Sequence, residues 1–199
     1  LLSPRAASYA SFAPELLFSV HAQPYAWRAA WTRSLEEREL VRFPEGVRLG
    51  EDAAFLFTLY PVAHGIELIP DKLYRYRMVG GSLTHALDDP SALARKVAQH
   101  LGAFEAIFAE WSRRGLESLC PAQMVTWCLD MTAFDLVRLP AKEGAAAVAR
   151  LAQTLADVYG EAWAELPRQQ AVRRTAQQVA DAAAAGTGLT RACVQRVLR

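Results

Sequence analysis

The chain has 199 residues, 52% hydrophobic and 22% charged, a soluble globular composition with enough apolar residues for one good core or two small ones. Its net charge of +1 is evenly spread, with 9 basic and 9 acidic groups in residues 1–87 and 13 and 12 in residues 88–199, so nothing in the balance calls for a nucleic-acid partner. No window approaches the roughly twenty uninterrupted apolar residues of a membrane span, and Leu1-Leu2-Ser3-Pro4-Arg5 lacks the pattern of a signal peptide.

Pro4, Pro14 and Pro24 punctuate a loop-rich first stretch around a short helix at Glu15 to Val20, and His21 reads as a surface or hinge residue. Tyr25 to Trp31 is aromatic and apolar, the pattern of a strand, and Leu35 to Leu40 makes a charged helical turn. Trp27 and Trp31 have two open fates: lining a cleft in which a sugar ring lays its C–H face on an indole, or packing in a core. Phe43-Pro44-Glu45-Gly46-Val47-Arg48-Leu49-Gly50 is a proline-glycine turn, and Ala53-Ala54-Phe55-Leu56-Phe57 after it is apolar with helical spacing. Gly50 reaches backbone angles other residues avoid, so Glu51 and Asp52 are predicted in the first turn of a helix. Unpaired amides and the helix dipole favour negative charge there. Such a pair either caps the helix, as in any protein, or accepts a proton in a reaction.

That helix runs on through Leu59 and Val62 to a stop at Gly65. Ile66 to Ile69 and Leu73 to Tyr76 read as extended segments broken by Pro70-Asp71, bringing the chain back beside the helix. Gly80-Gly81 frees the next loop, with Arg77 before it and Ser82, Thr84 and His85 after it. Such a loop suits an anion-contacting edge, or else a solvated hairpin end.

In order and spacing, the segment around Trp27, Arg33-Ser34-Leu35, Phe43-Pro44-Glu45-Gly46, Glu51-Asp52, Leu73-Tyr74-Arg75-Tyr76-Arg77 and Ser82-Leu83-Thr84 resemble a known pattern. It is that of the acceptor-side half of family 2 glycosyltransferases of the GT-A fold, bacterial enzymes that build surface polysaccharides and decorate teichoic acids. The resemblance covers residues 24 to 86, under half of the chain. It implies Asp52 as general base and Glu51 as the residue orienting it or the acceptor. It also implies Trp27 in the acceptor cleft, Arg77 and Ser82 holding donor phosphate or an anionic acceptor, and His85 facing a divalent metal, Mg or Mn. A lysine common in the family two places after the tryptophan is Ala29 here, so its role does not carry over. The family's nucleotide-binding alternation and its metal-holding Asp-x-Asp are absent. The expectation is therefore a carboxyl-terminal portion of a longer enzyme, inactive alone, working in the cytoplasm or at the inner face of the membrane on a nucleotide-sugar donor and a hydroxyl acceptor.

From Asp88 the pattern is helical only. Leu93, Val97, Leu101, Phe104, Phe108 and Trp111 form an amphipathic stripe ending near Gly115. Pro121 opens a second helix apolar nearly all the way round, through Met124, Trp127, Met131 and Phe134, and so predicted to be the central buried one; Pro140 ends it. Val148, Leu151, Leu155, Val158, Tyr159 and Trp163 make a third, and Gln169 to Ala185 a thinner fourth. Cys120, Cys128 and Cys193 have no metal-like spacing and read as thiols of a reducing compartment.

A rival reading sits in the tail. Ala184, Gly188, Val194 and Val197 fit a helix-turn-helix with Thr190 to Arg196 as recognition helix, and residues 167–199 carry 6 basic groups against 1 acidic. The alternatives are thus a DNA-binding regulator or a helical module that docks a partner, a bilayer surface or another copy of the chain. The fold class expected is α+β, mostly helical: a partial GT-A domain over 1–87, then an all-α bundle over 88–199.

Overall fold

The computed structural model describes residues 6–18, 25–75, 77, 90–169 and 174–186. The fold is mostly helical with one small antiparallel sheet, an α+β architecture. Strand β1 (Ala7–Tyr9) pairs with β2 (Ile66–Leu68), Ala7 opposite Leu68 and Tyr9 opposite Ile66. The helices are α1 (Glu15–Phe18), α2 (Arg33–Glu39), α3 (Glu51–Val62), α4 (Pro90–Arg114), α5 (Pro121–Leu136), α6 (Ala141–Tyr159) and α7 (Arg174–Ala184).

The apolar spacing explains the helical half. Every residue of the α4 stripe, Leu93, Val97, Leu101, Phe104, Phe108 and Trp111, is buried. Gly115, at φ 68°, ends that helix in the left-handed conformation that glycine adopts without strain. Pro121 occupies the first turn of α5, where its missing N–H costs nothing. Helix α5 packs on α4, α6 and α7, and α4 packs also on α3 and α6. Across the α4–α6 contact Arg150 forks onto Glu105 with two bonds of 2.7 and 2.6 Å.

Five expectations need correction. Residues 25–31 form no strand; Ala26–Arg28 is a single 3-10 turn, since a short apolar run carries too little periodicity to separate the two. Leu73 to Arg75 take no regular structure, and Tyr76 lies outside the described residues. Helix α5 is not buried all round, because Met131 is 44% and Phe134 49% exposed, with the Arg138 guanidinium over the Phe134 ring. Trp163 is buried in a separate 3-10 segment (Glu161–Gln169), because Gly160 at φ 74° stops α6 first. Strand β1, in the stretch read as loop, has too few residues for a visible alternation.

Helix α3 positions the site. Ala54 to Leu59 are six consecutive buried residues, so α3 is covered on all sides. Ala54 and Phe57 enter the main cluster with α4 and α5, while Phe55, Leu56 and Leu59 join Val41, with Trp31 and Leu35 packed against them, in a second. Pro61 lies inside α3 and supplies no N–H to the carbonyl of Phe57, four residues back. The buried Trp111 indole Nε1 donates to that carbonyl at 2.9 Å, satisfying the acceptor the proline left open.

Candidate active site

The turn before α3 does what its sequence predicts. Gly46 has φ 82° and Gly50 φ 91°, and Gly50 is the N-cap of α3, its carbonyl accepting from Ala54 N at 2.9 Å. Only glycine suits that position, for a second reason as well: a Cβ there would lie 3.0 Å from the Cβ of Ala103 on α4. Arg48 N donates to the Gln99 side chain at 2.9 Å, and Phe43 stacks on Phe55 with centroids 4.2 Å apart. The turn is therefore held against α4 at one end and against α3 at the other.

Glu51 and Asp52 are the acidic residues of the first turn of α3, and both are half-buried. No side chain caps this helix end. Neither carboxylate makes an ion pair or side-chain hydrogen bond among the described residues, so each keeps its acceptor capacity for another group. Two shallow cavities, of about 200 Å³ beside Val41 to Pro44 and about 250 Å³ between α4 and α6, are lined by neither carboxylate.

The two tryptophans part company. Trp31 is half-buried, tilts on Phe55 at 4.9 Å and donates to Glu36 at 3.2 Å, so it belongs to the packing around α3. Trp27 is 36% exposed and stacks with Tyr25, centroids 5.4 Å apart, and with Tyr74, 4.8 Å apart. The 3-10 turn bearing Trp27 packs on α3. Burial raises the pKa of the Tyr60 phenol in the last turn of α3, opposed by the charge of Arg28, while Asp52 sits in the first turn.

Arg77 is exposed, and no ion pair among the described residues joins it to either carboxylate. Ser82 and His85 lie outside the described residues, as do Gly80-Gly81, Gly188, Cys193 and the segment Thr190 to Arg196; Ala184 ends α7. Among the described residues no group of three or more His, Cys, Asp or Glu side chains could hold a metal ion. His85, which the resemblance implies faces a divalent ion, is not among the residues so described. No helix among them is long and apolar enough to cross a membrane.

Sequence reasoning singled out Trp27 but missed Tyr25 and Tyr74 as its partners; the spacing of Tyr25 two places before it was the available signal. It also missed a polar group in the bundle. Lys96 reaches Asp135 at 2.7 Å, with Arg138 at 3.8 Å from the same carboxylate and His100 buried one turn beyond Lys96. The i, i+4 spacing of Lys96 and His100 on the stripe's edge was its trace in the sequence.

Comparison with known proteins follows the same direction as the carboxylate pair. Over 97 residues the chain is 30% identical to the uncharacterized glycosyltransferase EpsJ of Bacillus subtilis (strain 168). The chain is related to a glycosyltransferase. The match takes in 48% of this chain and 27% of that relative, so the chain spans about a quarter of the relative's length. No family model matches the chain, and no solved structure matches it.

Proposed function

We propose that this chain is the acceptor-side part of an inverting, family 2-like glycosyltransferase of the GT-A fold. It would move a sugar from a nucleotide-sugar donor to a hydroxyl in bacterial cell-surface polysaccharide or teichoic-acid synthesis. The observation that carries this reading is an uncommitted carboxylate pair at the head of a helix immobilised on all sides, in a chain similar to a glycosyltransferase. In this reading the pair works together with Ser82 and with a nucleotide-binding half.

In this mechanism the acceptor hydroxyl oxygen attacks the anomeric carbon in line with the leaving group. Asp52 takes the hydroxyl proton as the new C–O bond forms, and the nucleoside diphosphate departs with the electron pair of the old one. A sugar hydroxyl is too weak an acid to ionise beforehand, so the base acts within the transition state, worth about 10²- to 10⁴-fold. Glu51 orients Asp52 or the acceptor, and Arg77 balances charge on the departing diphosphate.

Asp52→Asn, made in the polypeptide that includes the nucleotide-binding half, is expected to lower transfer by at least about 100-fold with donor affinity unchanged. Radiolabelled sugar transfer and calorimetric donor titration measure the two quantities. Near-normal turnover would remove Asp52 as the base.

A further inference from the structure

We propose that residues 69–75, with Tyr25 and Trp27 beside them, rest on an anionic lipid surface, Leu73 entering the acyl boundary and Lys72 and Arg75 meeting headgroup phosphate. The inference goes beyond the carboxylate pair and does not depend on which residue acts as the base.

Five of the ten exposed large hydrophobic side chains among the described residues fall in these two segments: Tyr25, Trp27, Ile69, Leu73 and Tyr74. Apolar residues scattered singly over a surface need no account, whereas a cluster marks a place of contact. The ring centroids of Tyr25 and Trp27 lie 5.4 Å apart and those of Trp27 and Tyr74 4.8 Å, which joins the two segments into one patch. Every residue from 69 to 75 is exposed, and Leu73, at 80%, is the most exposed of the ten. Pro70 has no N–H to give a sheet, and β2 ends at Leu68, so the chain runs on as an exposed loop. Within it Leu73 N donates to the Asp71 carbonyl at 3.1 Å, a three-residue turn with Lys72 at its corner.

The mixture of side chains selects the partner. A protein interface concentrates apolar residues at its centre and is depleted of lysine there. Here Lys72 and Arg75 enclose Leu73 and Tyr74 in the chain, both are exposed, and neither makes an ion pair among the described residues. Asp71 is the one acidic residue between Ile69 and Arg77, and Glu67, the next one upstream, accepts from the Ser8 hydroxyl. A bilayer interface answers both kinds at once: acyl chains take the leucine, and anionic headgroups take the cations. Tyrosine and tryptophan suit the level between, each with an apolar body and a polar tip. Stacking hides ring faces from one another and leaves that role intact, because a headgroup layer surrounds the edges of such a block.

The test sediments the 199-residue chain with vesicles of equal parts phosphatidylcholine and phosphatidylglycerol, and with vesicles of phosphatidylcholine alone. The chain is expected on the anionic vesicles, less as salt rises, and to bind the neutral ones at least about tenfold more weakly. Leu73→Ser, at an exposed position where folding is not at risk, should weaken anionic binding about tenfold with circular dichroism unchanged. Leu73→Trp should bind no less tightly than the parent. Lys72→Gln with Arg75→Gln should weaken binding about tenfold as well and flatten its dependence on salt. Met131→Ser with Phe134→Ser, at the exposed apolar positions of α5, should bind as the parent does. The proposal is overturned if the chain stays in the supernatant, if Leu73→Ser sediments like the parent, or if the two kinds of vesicle bind alike. It is overturned equally if the chain is a dimer without lipid that Leu73→Ser makes monomeric, since the patch then joins two copies.

Discussion

His100 shows how one buried side chain ties this fold to pH. Its Nδ1 has no hydrogen-bond partner among the described residues, and burial holds its pKa below the ordinary 6.5. Lys96, one turn earlier on α4, pushes the same way, while Asp135 from α5 opposes both; Arg138 also faces that carboxylate. The folded chain binds fewer protons at His100 than the unfolded chain does. This contribution to stability is therefore whole above the unfolded value and is lost as pH falls through 6.5 toward the lower folded one. The melting temperature should drop between about pH 7 and about pH 5, and the drop should shrink in His100→Gln. An unchanged drop in the variant would assign the effect elsewhere. Two thiols are shielded by the same burial: that of Cys120 is pushed up to about 12, and that of Cys128 well above its usual value.

At the scale of elements, α3 is held by a bond that neither its own sequence nor that of α4 announces. Trp111→Phe leaves the Phe57 carbonyl buried without a donor, a loss of roughly 1–3 kcal/mol in urea unfolding. Pro61→Ala restores an amide in register with that carbonyl. In the Trp111→Phe background it should therefore recover about 1 kcal/mol or more, and less in the parent, where the indole already donates. Equal effects of Pro61→Ala in both backgrounds would show that the carbonyl is not what Trp111 serves.

Legibility divides along the same line. The stripe on α4, the Pro121 start of α5 and the glycine turn before Glu51 were readable because periodicity and backbone chemistry are local. Which of two tryptophans packs and which is exposed was not, since Trp27 and Trp31 differ only in what the rest of the chain brings to them. The exposed Met131 and Phe134 were misread for that reason too. Their face of α5 carries the same apolar residues as its buried faces, and only the placement of the neighbouring helices distinguishes them.

For the whole molecule, the main apolar cluster draws on both halves of the sequence. Leu17, Ala54 and Phe57 pack with residues of α4 to α7. A chain of residues 88–199 would lose those three and the acceptor of the Trp111 indole. It should retain helical circular dichroism yet unfold with about 3 kcal/mol or more less stability than the 199-residue chain, the scale of losing one buried phenylalanine. Equal stability of the two would mean that the halves stand independently.

The shared indole–carbonyl bond also bears on how such proteins can be recombined. A chimera joined where the sequence changes character, near Asp88, would take Trp111 from one parent and Pro61 with Phe57 from the other. Unless both parents carry the same pair, the graft inherits either a stranded carbonyl or an indole competing with a backbone amide. Crossovers placed upstream of Arg42 would keep donor, acceptor, proline and the carboxylate turn in one inheritable block.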